Sequence, residues 1–251
     1  MPIDIGNLLQ PGRAALLLSE VQRSVIGDKA RLPAMAEAAA AANVIPNSAR
    51  LAAAARDNDG TVVHCLASID PERFGRNINA RLFMASGKRA GNDAPAYDPA
   101  YDVPCEDVWQ EGDVVSLRHH GLNPMADSQL DHRLRNAGIS TVVIAGVSLN
   151  VAILNLAMDA VNNAYQVIVA LDAVAGFPSS YAEHVVPNTL GPIATLASTD
   201  EIVAAWSRDC AALTSVELTF ASGPARCSSS MTAAKAVFAF LRPMLRLARR
   251  G

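Results

Sequence analysis

Along the 251-residue chain, apolar residues gather in short runs, and between these runs they recur at helical spacing. The runs are Ala14–Ser19 (AALLLS), Thr61–Ala67 (TVVHCLA), Asp113–Leu117 (DVVSL), Thr141–Ala145 (TVVIA), Tyr165–Leu171 and Ala194–Ala197. Each has the length and β-branched or aliphatic composition of a buried strand. Residues 30–57 are alanine-rich and helical by propensity, and Pro46 divides them or opens the second helix. Gln129–Ala137 reads as an amphipathic helix with Gly138 as its C-cap. Val151–Asn163 has helix length, with Val151, Leu154, Met158 and Val161 on one face, and Ser179–Leu190 and residues 199–206 complete the helical set. This alternation predicts a three-layer α/β/α sandwich around a mainly parallel, six-stranded sheet.

The densest part of the pattern is Thr141–Ala175, which reads as strand, sharp turn, helix, strand. Gly146 is expected to break the first strand, Ser148 or Asn150 to cap the helix, and Asp172 to end the second strand. In such folds the chemistry lies at the carboxyl ends of the strands. Gly146–Asn150 and Asp172 stand there, as do Glu20 with Gln22 and Arg23, and the run Arg118-His119-His120-Gly121. Local sequence alone makes Glu20 a solvated charge beyond a strand end. Two adjacent histidines are different, because two buried imidazoles would need partners; function is the better account of at least one. His64 and Cys65, inside a strand, read as packed residues.

Composition narrows the classes. With 51% hydrophobic and 18% charged residues the chain has ample material for a core. A net charge of −3 supplies no global field to recruit nucleic acid. The start, MPIDIGNLLQPGR, lacks the basic and apolar regions of a signal peptide, and no apolar run reaches the length of a membrane span. Cys65, Cys105, Cys210 and Cys227 show neither paired nor metal-ligand spacing, which points to a reduced, cytoplasmic protein; no metal or cofactor is expected. A zinc site at His119 and His120 is the runner-up, and it lacks a third ligand of recognisable spacing. The long segment 70–112, with Arg73, Arg76 and Arg81, has the length of a functional lid, an interface arm or a flexible loop. The basic apolar stretch MTAAKAVFAFLRPMLRLARRG, which ends the sequence, suits packing on a neighbouring subunit better than lying on a membrane.

The stretch AGVSLNVAILNLAMDAVNNAYQVIVALDAVAG resembles the signature of the isochorismatase-like (cysteine) hydrolases, with Gly146, Val147, Ser148, Asp159, Ala160, Asp172 and Ala173 fitting. The resemblance covers roughly Arg13–Ser207, which divides the chain into a hydrolase domain at 1–207 and an extension at 208–251. It implies that Glu20 stands at the position of the family's catalytic Asp and Gln22 at that of its Gln. A gapless count back from Ser128-Gln129-Leu130 puts His119 at the catalytic Lys position, and a one-residue slip puts Arg118 or His120 there. It further implies a cis Val147–Ser148 peptide, and the nucleophilic Cys position holds Ala152. On this resemblance Glu20 and His119 carry the chemistry, and Gln22, Arg118, His120, Ser148, Asn150 and Ala152 face the substrate.

Alanine offers nothing to acylate, so covalent amide hydrolysis has no nucleophile. Isochorismatases that lack the Cys work through the acid after the first strand, which protonates a vinyl-ether carbon so that water can attack. A carboxyl desolvated in an apolar cleft keeps a proton near neutrality, which suits Glu20 to that part. The readings that follow are a Cys-less, acid/base hydrolase of a small molecule, in a homo-oligomer, and an inactive relative kept for ligand binding or assembly.

Overall fold

The computed structural model describes residues 4–68, 79–84, 98–126 and 128–207. Six strands, β1 (Ala14–Ser19), β2 (Thr61–Ala67), β3 (Val114–Arg118), β4 (Thr141–Val147), β5 (Gln166–Ala175) and β6 (Thr195–Ala197), form one sheet in the order β3-β2-β1-β4-β5-β6. Every pairing is parallel. β1 and β4 are buried at every residue, which is what strands covered on both faces require. The chain divides into two compact units, Met1–Leu213 and Thr214–Gly251, and the second lies outside the described residues.

Alternation along the strands builds two cores. Leu16, Leu18, Val143 and Ala145 point to one face, where α1 (Pro33–Ala41), α2 (Val44–Asp57) and α5 (199–207) contribute Ala39, Leu51, Ala55, Ile202 and Trp206. Ala15, Leu17, Val142 and Ile144 point to the other, against α3 (Leu130–Asn136) and α4 (Leu154–Asn162). Pro46 sits in the first turn of α2, where its missing N–H has no helical partner to lose. The sandwich expected from the apolar pattern is therefore the one observed.

Three expected details change. Gly146 does not end β4, which runs on to Val147 with an irregular register to β5 between Ile144 and Gly146. β5 does not end at Asp172 but continues to Ala175. Asp172 Oδ1 accepts from both the N–H and the hydroxyl of Thr199, so a charge inside the strand is used to start α5. The buried face of α4 and the turn before it is Ala152, Ile153, Leu156, Ala157 and Ala160, whereas Met158 and Val161, placed on the core stripe by spacing, are exposed.

A second polar cluster ties the sheet edge to α2. Arg56 makes a two-pronged ion pair with Asp113 at 2.6 and 3.0 Å, and His64 Nε2 lies 2.9 Å from Asp113 Oδ2. His64 is fully buried, and its Nδ1 has no hydrogen-bond partner. Burial holds its pKa below the ordinary 6.5, against the pull of Asp113. Burial acts to raise the carboxyl of Asp113, but the bonds from Arg56, His64 and the Gln110 N–H outweigh it and leave it lowered. A histidine that resists protonation when folded makes the unfolded state the better proton binder just below pH ~6.5. Stability should fall as pH drops through that value and level off below the lowered pKa of His64. The contribution of Asp113 is lost in a separate, more acidic window. Urea melts on either side of pH ~6.5 should show this slope in the parent and a flatter one in His64→Gln; equal slopes would remove His64 as the source.

Candidate active site

The strand order reverses between β1 and β4, and the crevice at such a switch point is where doubly wound sheets place ligands. Ser19 ends β1 opposite Gly146 of β4, and its hydroxyl donates to Val147 O at 2.7 Å. Gly146 has φ +109, and a Cβ there would stand 2.1 Å from Ser19 O. Only glycine permits this approach. The Val147–Ser148 peptide that follows is cis.

Glu20 comes next after β1 and adopts φ 53, a left-handed conformation that costs a non-glycine residue about 1–2 kcal/mol. Its N–H donates to Cys65 O at 2.8 Å, which turns the chain out of the strand and the carboxylate toward the neighbouring strand ends. Arg118, the last residue of β3, reaches across β2, and its Nη2 donates to Glu20 Oε1 at 2.5 Å. The side chains are 5% and 17% exposed, respectively. Arg118 Nε and Nη1 are buried and donate to no acceptor among the described residues, so most of this guanidinium is desolvated without compensation.

The structure separates the three candidates at the end of β3. Arg118 lies on the buried side of the strand with Ser116, while His119 and His120 are exposed beyond it. The count back from α3 placed His119 first, and that count assumed a fixed length for the loop 119–129. The period of two along β3, from Ser116 to Arg118, was the signal for the in-facing residue. The loop itself is pinned to α4, where Asn123 Nδ2 donates to Asp159 Oδ2 while Asn123 Oδ1 accepts from Met125 N–H. Among the described residues no cluster of three metal-ligating side chains is present.

The turn after β4 begins on the strand next to β1. Leu149–Ile153 forms one wide helical turn leading into α4, in which Ser148 O accepts from the N–H groups of Val151 and Ile153. Ser148 makes no side-chain cap. Asn150 Nδ2 donates to Phe177 O at 3.1 Å, and its buried Oδ1 has no partner. Ala152 is buried, and no residue from Ser148 to Ile153 is a cysteine. The nearby Cys65 does not replace one, since burial pushes its thiol up to about 12.

Gln22 is fully buried and serves the scaffold. Its Oε1 accepts from Ala67 N–H, and its Nε2 donates to Ala67 O, Tyr101 O and Ser24 Oγ, which leaves no amide N–H for a ligand. Arg73, Arg76 and most of the expected lid lie outside the described residues; Arg81 is described and exposed. Cavities of about 500 Å³, lined by Arg50, Asp57 and Trp206 among others, and about 310 Å³, around Met125 and His132, include neither Glu20 nor Arg118. The polar chemistry at the strand ends locates the candidate site.

A parallel sheet with helices on both faces and an ion pair at the strand ends defines a doubly wound α/β protein. The model of the isochorismatase domain matches residues 14–201, and the chain belongs to that family of hydrolases. Solved structures agree in fold. An isochorismatase family protein from Burkholderia thailandensis is 21% identical with a TM-score of 0.63, over 78% of this chain and 96% of that one. A cysteine hydrolase from Pseudomonas syringae pv. phaseolicola is 18% identical with a TM-score of 0.64, over 79% and 94%. The N-carbamoylsarcosine amidase of Thermoplasma acidophilum is 21% identical with a TM-score of 0.58, over 75% and 97%. No curated protein matches in sequence.

The close approach at Gly146 is directly testable. Gly146→Ala should destabilise the fold by about 3 kcal/mol or more, since it adds a backbone clash to the unfavourable φ. Gly112→Ala, with φ +99 but nothing within 4 Å of its Cβ, should cost only about 1–2 kcal/mol. Equal losses in urea melts would show that the β1–β4 contact is not the constraint.

Proposed function

We propose that the chain is an isochorismatase-like hydrolase working without a cysteine nucleophile, by acid/base chemistry on an ether, enol or related bond of a small molecule. The observation that carries this is the Glu20–Arg118 pair, held at the switch point beside a turn whose nucleophile position is Ala152. Arg118 takes Oε1, so Oε2 is the oxygen left to carry or accept a proton. Protonation of an enol-ether carbon by Glu20 forms the new C–H bond, and water adds to the resulting oxocarbenium. The hemiketal so formed releases the alcohol and leaves a ketone, with the proton returned to Glu20. Arg118 is the cation of the site in this reading, and His119 and His120, exposed at the rim, act on substrate entering from solvent.

The rest of the proposal concerns setting and assembly. A reducing, cytoplasmic setting suits the free thiols Cys65 and Cys105. Among the described residues no helix is long and apolar enough to cross a membrane. A homo-oligomer is supported by the exposed apolar side chains Met158 and Val161 on α4. Sedimentation of the intact chain should show more than a monomer, and Met158→Glu should shift it toward one; a parent already monomeric would end that part.

The second reading, a catalytically inactive relative that binds a ligand, is favoured by the same pair, because Glu20 already has its counter-charge. The two separate on Glu20→Gln, which keeps shape but transfers no proton. Assayed on a panel of small enol ethers, the variant should lose roughly a hundredfold or more in turnover while binding changes little. Turnover at the parent rate would leave the ligand-binding reading.

A further inference from the structure

Arg118 is 4% exposed, yet its Nε and Nη1 have no hydrogen-bond partner among the described residues. A guanidinium carries five N–H donors in a planar fork, and the one bond to Glu20 engages only Nη2. Nη2 has two hydrogens, one beside Nε–H and one beside Nη1–H. Whichever of them Glu20 takes, one complete two-pronged edge of the guanidinium is left without an acceptor. Leaving charged donors buried and unpaired is costly, and folded chains rarely do so without a partner that arrives later.

We infer that this open edge of Arg118 is a receptor for the carboxylate of the small molecule, and that the substrates of this chain are monocarboxylates. The inference rests on reading the Glu20–Arg118 end of the sheet as the reacting site. A carboxylate matches the edge in geometry, with two oxygens facing two parallel N–H groups. Charge narrows it to a monoanion. Arg118 provides one positive charge and already shares it with Glu20, so a dianionic phosphate would face the Glu20 carboxylate without compensation. The Glu20 side chain, 17% exposed, is the side of the pair that solvent reaches. Bound this way, the ligand and Glu20 flank one guanidinium, so its reacting bond lies within reach of Oε2.

The test uses the intact protein and matched probes of equal shape, acetate against acetamide and benzoate against benzamide, titrated by calorimetry. At least one carboxylate should bind, its amide at least roughly tenfold more weakly, as expected for loss of a charge-assisted pair. Inorganic phosphate should bind more weakly than that carboxylate. Arg118→Lys keeps the charge but loses the fork and should weaken the carboxylate about tenfold, with a thermal melt showing that it is folded. Absence of carboxylate binding, amides binding equally well, tighter phosphate binding, or an unchanged affinity in folded Arg118→Lys would each overturn the inference. The parent protein alone decides the first three. Glu20→Gln should still bind the carboxylate, so a failure of acid/base catalysis there leaves the inference standing, and loss of carboxylate discrimination leaves the role of Glu20 standing.

Discussion

The backbones of β1 and β4 meet at Ser19 and Gly146 with no room for a side chain between them. This contact sets the position of everything at the carboxyl end of the sheet. It brings Ser19 Oγ onto Val147 O, begins the wide turn that carries Ala152, and leaves Glu20 at the first residue free of the strand. The cost of a left-handed glutamate is met by the bond to Cys65 and the ion pair with Arg118. Packing on both faces of the sheet holds the contact closed, since β1 and β4 are buried along their whole length.

The Glu20–Arg118 pair spans the carboxyl end of β2. Here both members are long, and the arginine must cross the whole width of β2, two strand spacings or about 10 Å, to meet the acid. Length on both sides lets the pair form without moving the strands. The guanidinium is also a planar fork that can serve two acceptors at once.

Much of the fold was legible because buried parallel strands write themselves as uninterrupted apolar runs; Ala14–Ser19 and Thr61–Ala67 match β1 and β2 to the residue. Gly146 misled because glycine reads as a stop, whereas here it is the residue that lets the strand continue past its neighbour. Asp172 misled for a related reason, since its carboxylate finds its partners on a distant helix that no local window contains. The exposed stripe of α4 carries Met158 and Val161 as apolar as the buried one, and spacing alone cannot rank two apolar faces. Glu20 was placed by its strand. Its partner was obscured because the loop to α3 changes length more easily than a strand changes its facing, so counting across the loop favoured His119 over Arg118.

Gln22 has a consequence for how such a site diversifies. One buried amide grips Ala67, where the chain leaves β2, and Tyr101, where the chain returns beside β1. The return is clipped further by Arg23 N–H to Val103 O and Cys105 N–H to Val21 O. The described ends of this segment, Ala67 and Tyr101, are thus both held by the residue two places beyond Glu20. Doubling the segment's length would cost only about 0.6 kcal/mol in closure entropy and would leave both grips in place. The chain can thus vary the length of the stretch between Ala67 and Tyr101 while Glu20 and Gln22 stay where they are.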